Sequence, residues 1–149
     1  MDEDARARRT EDYTRAELRV PSLGLVLRPR EPGVVGPFPF DVDVVHVLTA
    51  HNPGAERPGP AENAARQDRL VADLRRRGLR YWPAVAGAAD GAHAEASVVV
   101  AGLGDDEARA VGAAWGQDAV FRWSRGAWSV VACDDAASVD LGWEIEVDA

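Results

Sequence analysis

The chain has no lysine, a single cysteine and no long hydrophobic run, and each absence excludes something. All 17 of its basic residues are arginine, set against 25 acids for a formal net charge of −8. A surface so acidic does not fit a general affinity for nucleic acid or for an anionic membrane, because neutralising phosphates requires a basic footprint. With Cys133 alone, no internal disulfide can form, and a reducing, cytoplasmic setting is expected. No stretch approaches the ~20 apolar residues of a membrane-spanning helix. The first residues are charged throughout and carry no hydrophobic signal core. A P-loop is missing too: nothing matches the glycine-rich fingerprint followed by a Lys-Ser/Thr pair. His46 and His51 stand five apart across a strand, and His51, Glu56 and Glu62 lack the tight spacing of metal ligands, so no metal and no cofactor are expected.

What is present is the patterning of one domain. With 149 residues and 46% hydrophobic content, the chain can bury a full core. Residues 1–12 read as a flexible charged arm, 13–133 as a single domain, and 134–149 as an acidic tail or short edge strand. Ala16–Val20 and Gly24–Leu27 form an expected strand pair, followed by a Pro- and Gly-rich loop. Val42–Thr49 is apolar on both faces, as in a central strand, with His46 inside it as a sheet-face histidine whose ring is satisfied. A helix over Ala61–Arg77 opens after Pro60 and closes at Gly78. Tyr81–Val85 reads as a strand at an edge, because Pro83 cannot donate to a ladder. His93–Ala101 alternates as a strand, and a second helix starts near Gly104–Glu107. Ala119–Trp123 and Ala127–Cys133 then make a hairpin around Ser124-Arg125-Gly126. The order βαββαβ, with an N-terminal strand pair and one further C-terminal strand, predicts an α+β, ferredoxin-like split βαβ sandwich. Its two helices would cover one sheet face and leave the other open.

The most informative stretch is the turn after the first central strand. On a helical wheel Leu70, Val71 and Leu74 define the apolar stripe, yet Asn63 and Gln67 fall in its middle and Arg66 at its edge. Buried polar groups without partners cost about 1–3 kcal/mol each, so something must receive them. The elbow Thr49-Ala50-His51-Asn52-Pro53-Gly54 is the nearest candidate. We expect Asn52 to bond backbone groups between Gly54 and Glu62, and Arg66 to pair with Glu95 or Glu62. Cys133, at a strand end, reads as a packed thiol.

The same residues carry a family resemblance. Thr49-Ala50-His51-Asn52-Pro53, followed by Glu62-Asn63, Arg66, Leu70 and Leu74, resembles the segment typical of an uncharacterised bacterial family, the domain of unknown function 3293. Tyr81-Trp82-Pro83, Glu95 with Ser97, and Gly116-Gln117 before Ala119-Val120-Phe121 extend the likeness over roughly residues 13–133. The chain departs from that pattern at His51, where an aromatic is expected, and at the Gly- and Pro-rich insertion Ala55–Pro60. The resemblance implies no reaction, cofactor or partner.

Two functional classes follow from the residues. In the favoured one the elbow polar groups form a buried structural network. The open sheet face would then bind a protein partner or a second copy of the chain. In the other, Thr49, His51, Asn52, Asn63, Arg66 and Gln67, joined by Glu95, Ser97 and Gln117, line a pocket for a small anionic ligand. Arg66 would pair its carboxylate or phosphate, and His51 would be the candidate general base of an enzyme. Neither composition nor spacing decides whether a reaction is catalysed. The charge does yield a test. Random duplex DNA at physiological salt should show no binding tighter than about micromolar, and a salt-sensitive submicromolar Kd in a fluorescence-anisotropy titration would contradict it.

Overall fold

Strands that carry apolar side chains on alternate positions of both faces need two covers, and here the sheet supplies one of them by curling onto itself. A computed structural model describes residues 11–53, 56–91, 94–134 and 137–148. Residues 1–10 of the charged arm, Gly54 and Ala55 of the elbow loop, and His93 at the expected strand start lie outside these. Among the described residues the strands are β1 (Glu17–Val20), β2 (Leu25–Arg30), β3 (Val44–Leu48), β4 (Tyr81–Gly87), β5 (Glu95–Ala101), β6 (Ala119–Ser124), β7 (Trp128–Ala132) and β8 (Ser138–Val147). They close into a barrel in the order β1-β2-β8-β7-β6-β3-β5-β4, every neighbouring pair antiparallel. Helices α1 (Pro60–Arg76) and α2 (Asp105–Ala114) pack outside the arc that contains β3, β5 and β6.

The expected ferredoxin-like sandwich is thus corrected to a closed barrel. An open sheet would leave Val45, Val47, Val99 and Phe121 in water. Instead β1 seals to β4 from Glu17↔Gly87 to Arg19↔Val85, and β8 runs between β7 and β2. Residues 138–147, expected as tail or edge strand, join two strands, pairing with β7 over 138–141 and with β2 over 142–147. β4 is likewise no edge. Pro83 is tolerated because β1 is short: its pairing with β4 stops at Val85, so the missing N–H faces no strand. The open sheet face proposed for a partner or a homodimer does not exist.

Two cores result. The barrel interior holds Leu18, Leu27, Val45, Val47, Val99, Phe121, Trp123, Trp128, Val130 and Trp143. The outer core sits under the helices and joins Leu48, Val98, Val100, Val120 and Val131 to Leu70, Leu74, Ala108 and Val111. One barrel end is plugged by the segment after β2. Phe40 lies 4.8 Å from Trp82 and 5.3 Å from Trp123 between ring centroids, and Trp143 Nε1 donates to Pro37 O at 3.1 Å. Gly142 is required there, since a Cβ would stand 2.3 Å from the carbonyl oxygens of Glu31 and Val34. At the opposite end a helical turn over residues 11–15 sets Tyr13 edge-on to Phe121 at 5.5 Å. No helix among the described residues is long and apolar enough to cross a membrane. The outer wall over β2 and β8 carries ion pairs of Arg28 with Glu146 and Arg30 with Glu144, while the lumen is apolar. That is the reverse of a bilayer-spanning barrel.

A polar chain fastens α2 to the barrel. His46, 1% exposed on the outward face of β3, donates through Nε2 to Asp105 Oδ1 at 2.7 Å. The second Asp105 oxygen accepts from Arg122 of β6 at 2.5 Å, and Arg122 reaches Ser129 of β7 and Asp140 of β8. Among the described residues the buried His46 Nδ1 has no partner, so the ring is satisfied there on one side only. Burial pushes the His46 pKa down, aided by Arg122 and Arg109, and outweighs the upward pull of Asp105. Burial alone would raise the Asp105 carboxyl, but hydrogen bonds from His46 and Arg122 hold it below the usual range. The sign of the pH effect follows. A histidine depressed on folding stabilises fully above its unfolded value of 6.5 and loses that contribution as pH falls toward the folded value. Asp105 acts in the same direction only below the carboxylate range. Stability should therefore fall as pH drops below the unfolded value of 6.5, and His46→Gln, which keeps a donor for Asp105 without titrating, should flatten that slope. Identical slopes in urea unfolding of the two proteins would refute it.

Candidate functional site

Where β3 ends the chain must leave a curved sheet sharply, and this exposes backbone groups that no strand can pair. Asn52 makes the turn with φ +47, a left-handed conformation that Asn tolerates better than most residues. The first two turns of α1 supply the missing partners. Gln67 Oε1 accepts the Ala50 N–H at 2.9 Å and Asn63 Oδ1 accepts the Asn52 N–H at 3.0 Å. Asn63 Nδ2 donates back to Asn52 Oδ1 at 2.9 Å, which makes a reciprocal pair. Asn52 Nδ2 then donates to Glu95 Oε1 at 3.2 Å, linking the elbow to β5.

The remaining elbow residues are tied in the same manner. Thr49 Oγ1 donates to Ala96 O at 2.8 Å and accepts the His51 N–H at 3.1 Å. Gln117 Nε2 donates to His51 O at 2.9 Å, and Ser97 Oγ donates to Glu95 O at 3.0 Å. Gly116, at φ +79, closes α2 against the elbow; a Cβ there would stand 2.5 Å from Pro53 Cβ. Two expectations are corrected. Among the described residues Arg66 pairs with no acid: its Nε donates to Ala50 O and its Nη2 to Trp115 O, each at 2.7 Å, with the guanidinium 5.4 Å from the Trp115 ring centre. Two carbonyls stranded at a strand end and a helix end claim it first. Among the described residues of the following loop Asn52 bonds none, and its amide is engaged by Asn63 and Glu95 instead. The loop is reached by Asn63 Nδ2, 3.5 Å from Pro58 O.

Beside this elbow lies a cavity of about 330 Å³ at the barrel mouth where β3 and β4 finish and β5 and β6 begin. Its apolar lining includes Val47, Leu48, Ala86, Ala119, Phe121 and the Tyr13 ring. The polar lining is Thr49, Asn52, Glu95, Ser97, Gln117 and Asp118, with Asp12, Arg15 and Arg57 at the rim. Five of the nine sequence-predicted residues thus border the space. His51, Asn63, Arg66 and Gln67 do not: His51 is part of the elbow, and the other three brace it from α1. Burial, then Arg66, pushes the His51 pKa down, and among the described residues its buried Nε2 has no partner. Burial, then the charges of Glu95 and Asp118, pushes the Tyr13 phenol up. Cys133 is pushed up to about 11 by burial and then by Asp118, which leaves an unreactive thiol. Among the described residues no three His, Cys, Asp or Glu side chains gather as a metal site.

Fold and site define the class: a closed antiparallel barrel, helix-buttressed on one side, with a polar-rimmed cavity at one mouth. Over residues 48–120 the chain matches, and so resembles, the family described as "Protein of unknown function (DUF3293)". This span is narrower than the 13–133 expected; it runs from the end of β3 to the start of β6 and includes the elbow, both helices, β4 and β5. No curated protein and no solved structure matches the chain.

Sequence reasoning missed Tyr13, Val47, Asp118 and Phe121, since the β3–β6 pairing sets Val47 beside Phe121 and Tyr13 arrives from a turn distant in the chain. The usable signal was small: Val47 faces opposite His46, and Asp118 adjoins Gln117. The reciprocal amides offer a direct test. Asn52→Gly, which keeps the left-handed backbone, and Asn63→Ala should each cost about 1–3 kcal/mol. The double variant should cost less than their sum by about 0.5–3 kcal/mol. Strict additivity in denaturant unfolding would show that the two side chains act separately.

Proposed function

We propose that this chain is a small-molecule-binding barrel whose ligand enters the mouth bordered by Thr49, Asn52, Glu95, Ser97 and Gln117. One observation carries the reading. Ser97 and Gln117, 5% and 9% exposed, border an apolar-floored space of about 330 Å³ rather than packed side chains. An eight-stranded barrel is the size at which a lumen is either filled or holds one small ligand. Here the plugged end is filled and the mouth is not. The volume lies at the lower end of that typical for ligand sites, which favours a compact molecule.

The network and pocket readings of the elbow are then not rivals. Asn63, Arg66 and Gln67 hold the strand end so that Asn52 and Thr49 form a rigid rim. Because Arg66 is spent on two carbonyls, it is not the anchor for an anionic ligand. We assign no reaction, and His51, off the lining, is not the base for one.

The test is a 15N-edited NMR titration of the full chain with neutral aromatic fragments. Shifts should concentrate at Leu48, Ser97, Ala119 and Phe121. Ala86→Phe, which fills the mouth, should weaken binding at least about tenfold. Shifts scattered elsewhere, or unchanged in that variant, would defeat the proposal.

A further inference from the structure

Some polar groups of the mouth are spent within the protein and some are not. Thr49 gives its hydroxyl proton to Ala96 O and accepts the His51 N–H. The Asn52 amide is engaged by Asn63 and Glu95. Glu95 and Asp118 have partners of their own, so their carboxylates do not define what a ligand must bring. Arg15 and Arg57 are exposed at the rim, where Arg15 pairs with Glu11 and Arg57 donates to Glu56 O.

Gln117 is different. Its Nε2 stands between two carbonyls, those of His51 at 2.9 Å and Trp115 at 3.4 Å. Only the nitrogen end of the amide fits between two acceptors, which fixes Oε1 on the other side. Among the described residues no donor reaches that oxygen. Ser97 Oγ donates to Glu95 O at 3.0 Å and keeps its lone pairs. Both residues border the cavity although they are only 9% and 5% exposed. Tyr13 supplies the opposite capacity. The Ala119 N–H lies against its phenol oxygen, while burial, then the charges of Glu95 and Asp118, keep the hydroxyl protonated. Its proton has no acceptor among the described residues, so it remains to be given.

The unspent set is thus two acceptors and one donor in one small space. An ammonium or amidinium brings donors only and would bury the Tyr13 proton unmatched. A carboxylate or phosphate brings acceptors only and would set an oxygen against Gln117 Oε1. A site whose buried polar groups are left unpaired by the wrong ligand rejects that ligand strongly.

We propose that the mouth selects a neutral ligand carrying a carboxamide or lactam group, whose N–H donates to Gln117 Oε1 and Ser97 Oγ, whose carbonyl accepts from the Tyr13 hydroxyl, and whose apolar or aromatic body packs on Phe121 and Val47. This rests on the binding-barrel reading and adds the ligand class to it.

The experiment uses four probes of one shape, a phenyl ring bearing a planar three-atom group: benzamide, acetophenone, benzoate and benzamidine. Each is titrated into the full chain at constant ionic strength and followed by NMR. Benzamide should bind at least about tenfold more tightly than any of the other three. Tyr13→Phe, which keeps the ring, should weaken benzamide about tenfold, and Ser97→Ala and Gln117→Met should each shrink its margin over acetophenone. Another probe binding as tightly as benzamide, with its shifts lost in Ala86→Phe, would overturn the ligand class and leave the pocket intact. Benzamide binding unmoved by Tyr13→Phe, or a margin over acetophenone unmoved by Ser97→Ala and Gln117→Met, would also overturn it. Tyr13→Phe removes none of the elbow's hydrogen bonds, so that arm stands even where Gln117→Met weakens the fold. Silence from all four probes at millimolar concentration would overturn the ligand class along with the binding-barrel reading.

Discussion

β8 is in register with β7 from Trp128↔Leu141 to Val131↔Ser138 and with β2 from Leu25↔Val147 to Arg30↔Gly142. On that double pairing the barrel depends. Without it β2 and β7 would both present unpaired edges, and the lumen would open along its length. With it, Trp143 of β8 enters the lumen beside Trp123 at 6.1 Å, and the end covered by residues 31–43 gains its anchor through Pro37. Closure also fixes what is inside. Val45 and Val47 become lumen residues, while His46 between them is turned outward onto Asp105. A strand that looks apolar on both faces is therefore serving two different cores.

The elbow after β3 shows how the outer core positions the mouth. A chain leaving a barrel strand strands its own N–H and C=O groups, and a helix beginning close by can answer with side chains at i and i+4. Asn63 and Gln67 have that spacing, and each accepts a backbone N–H of the elbow. They replace the leucines that a merely amphipathic helix would place there. The exchange trades hydrophobic burial for geometric definition, and the gain is a rim of fixed shape beside the cavity. Arg66 completes the brace from the helix side and Gln117 from α2, so both helices hold one loop.

This division of labour explains the span of the family match. Residues 48–120 contain the elbow, the helices that brace it and the strand that carries Glu95 and Ser97. The strands that complete the cylinder, β1, β2, β7 and β8, lie outside or at the margin of it. Tyr13, Val47 and Phe121 of the cavity lining also lie outside it.

The sequence by itself determined most of the local structure and the address of the site. Periodicity placed the two helices and the central strands, because 3.6- and 2-residue repeats are properties of neighbours. The polar intrusion of Asn63 and Gln67 into a leucine stripe marked the elbow, because a buried amide demands a partner wherever the fold puts it. The partners themselves were decided only by tertiary structure. Arg66 could reach an acid at i−4, but the Ala50 carbonyl and the Trp115 carbonyl, the latter 49 residues away in the chain, take its guanidinium. Likewise residues 134–149 read equally as a solvated acidic tail or a short edge strand, since Trp143 shows its burial only once β8 joins β2 to β7. Whether a sheet stays open or closes depends on pairings between distant segments, and β1 meeting β4 is a contact no local repeat encodes. The mouth and its cavity exist only as a consequence of that meeting.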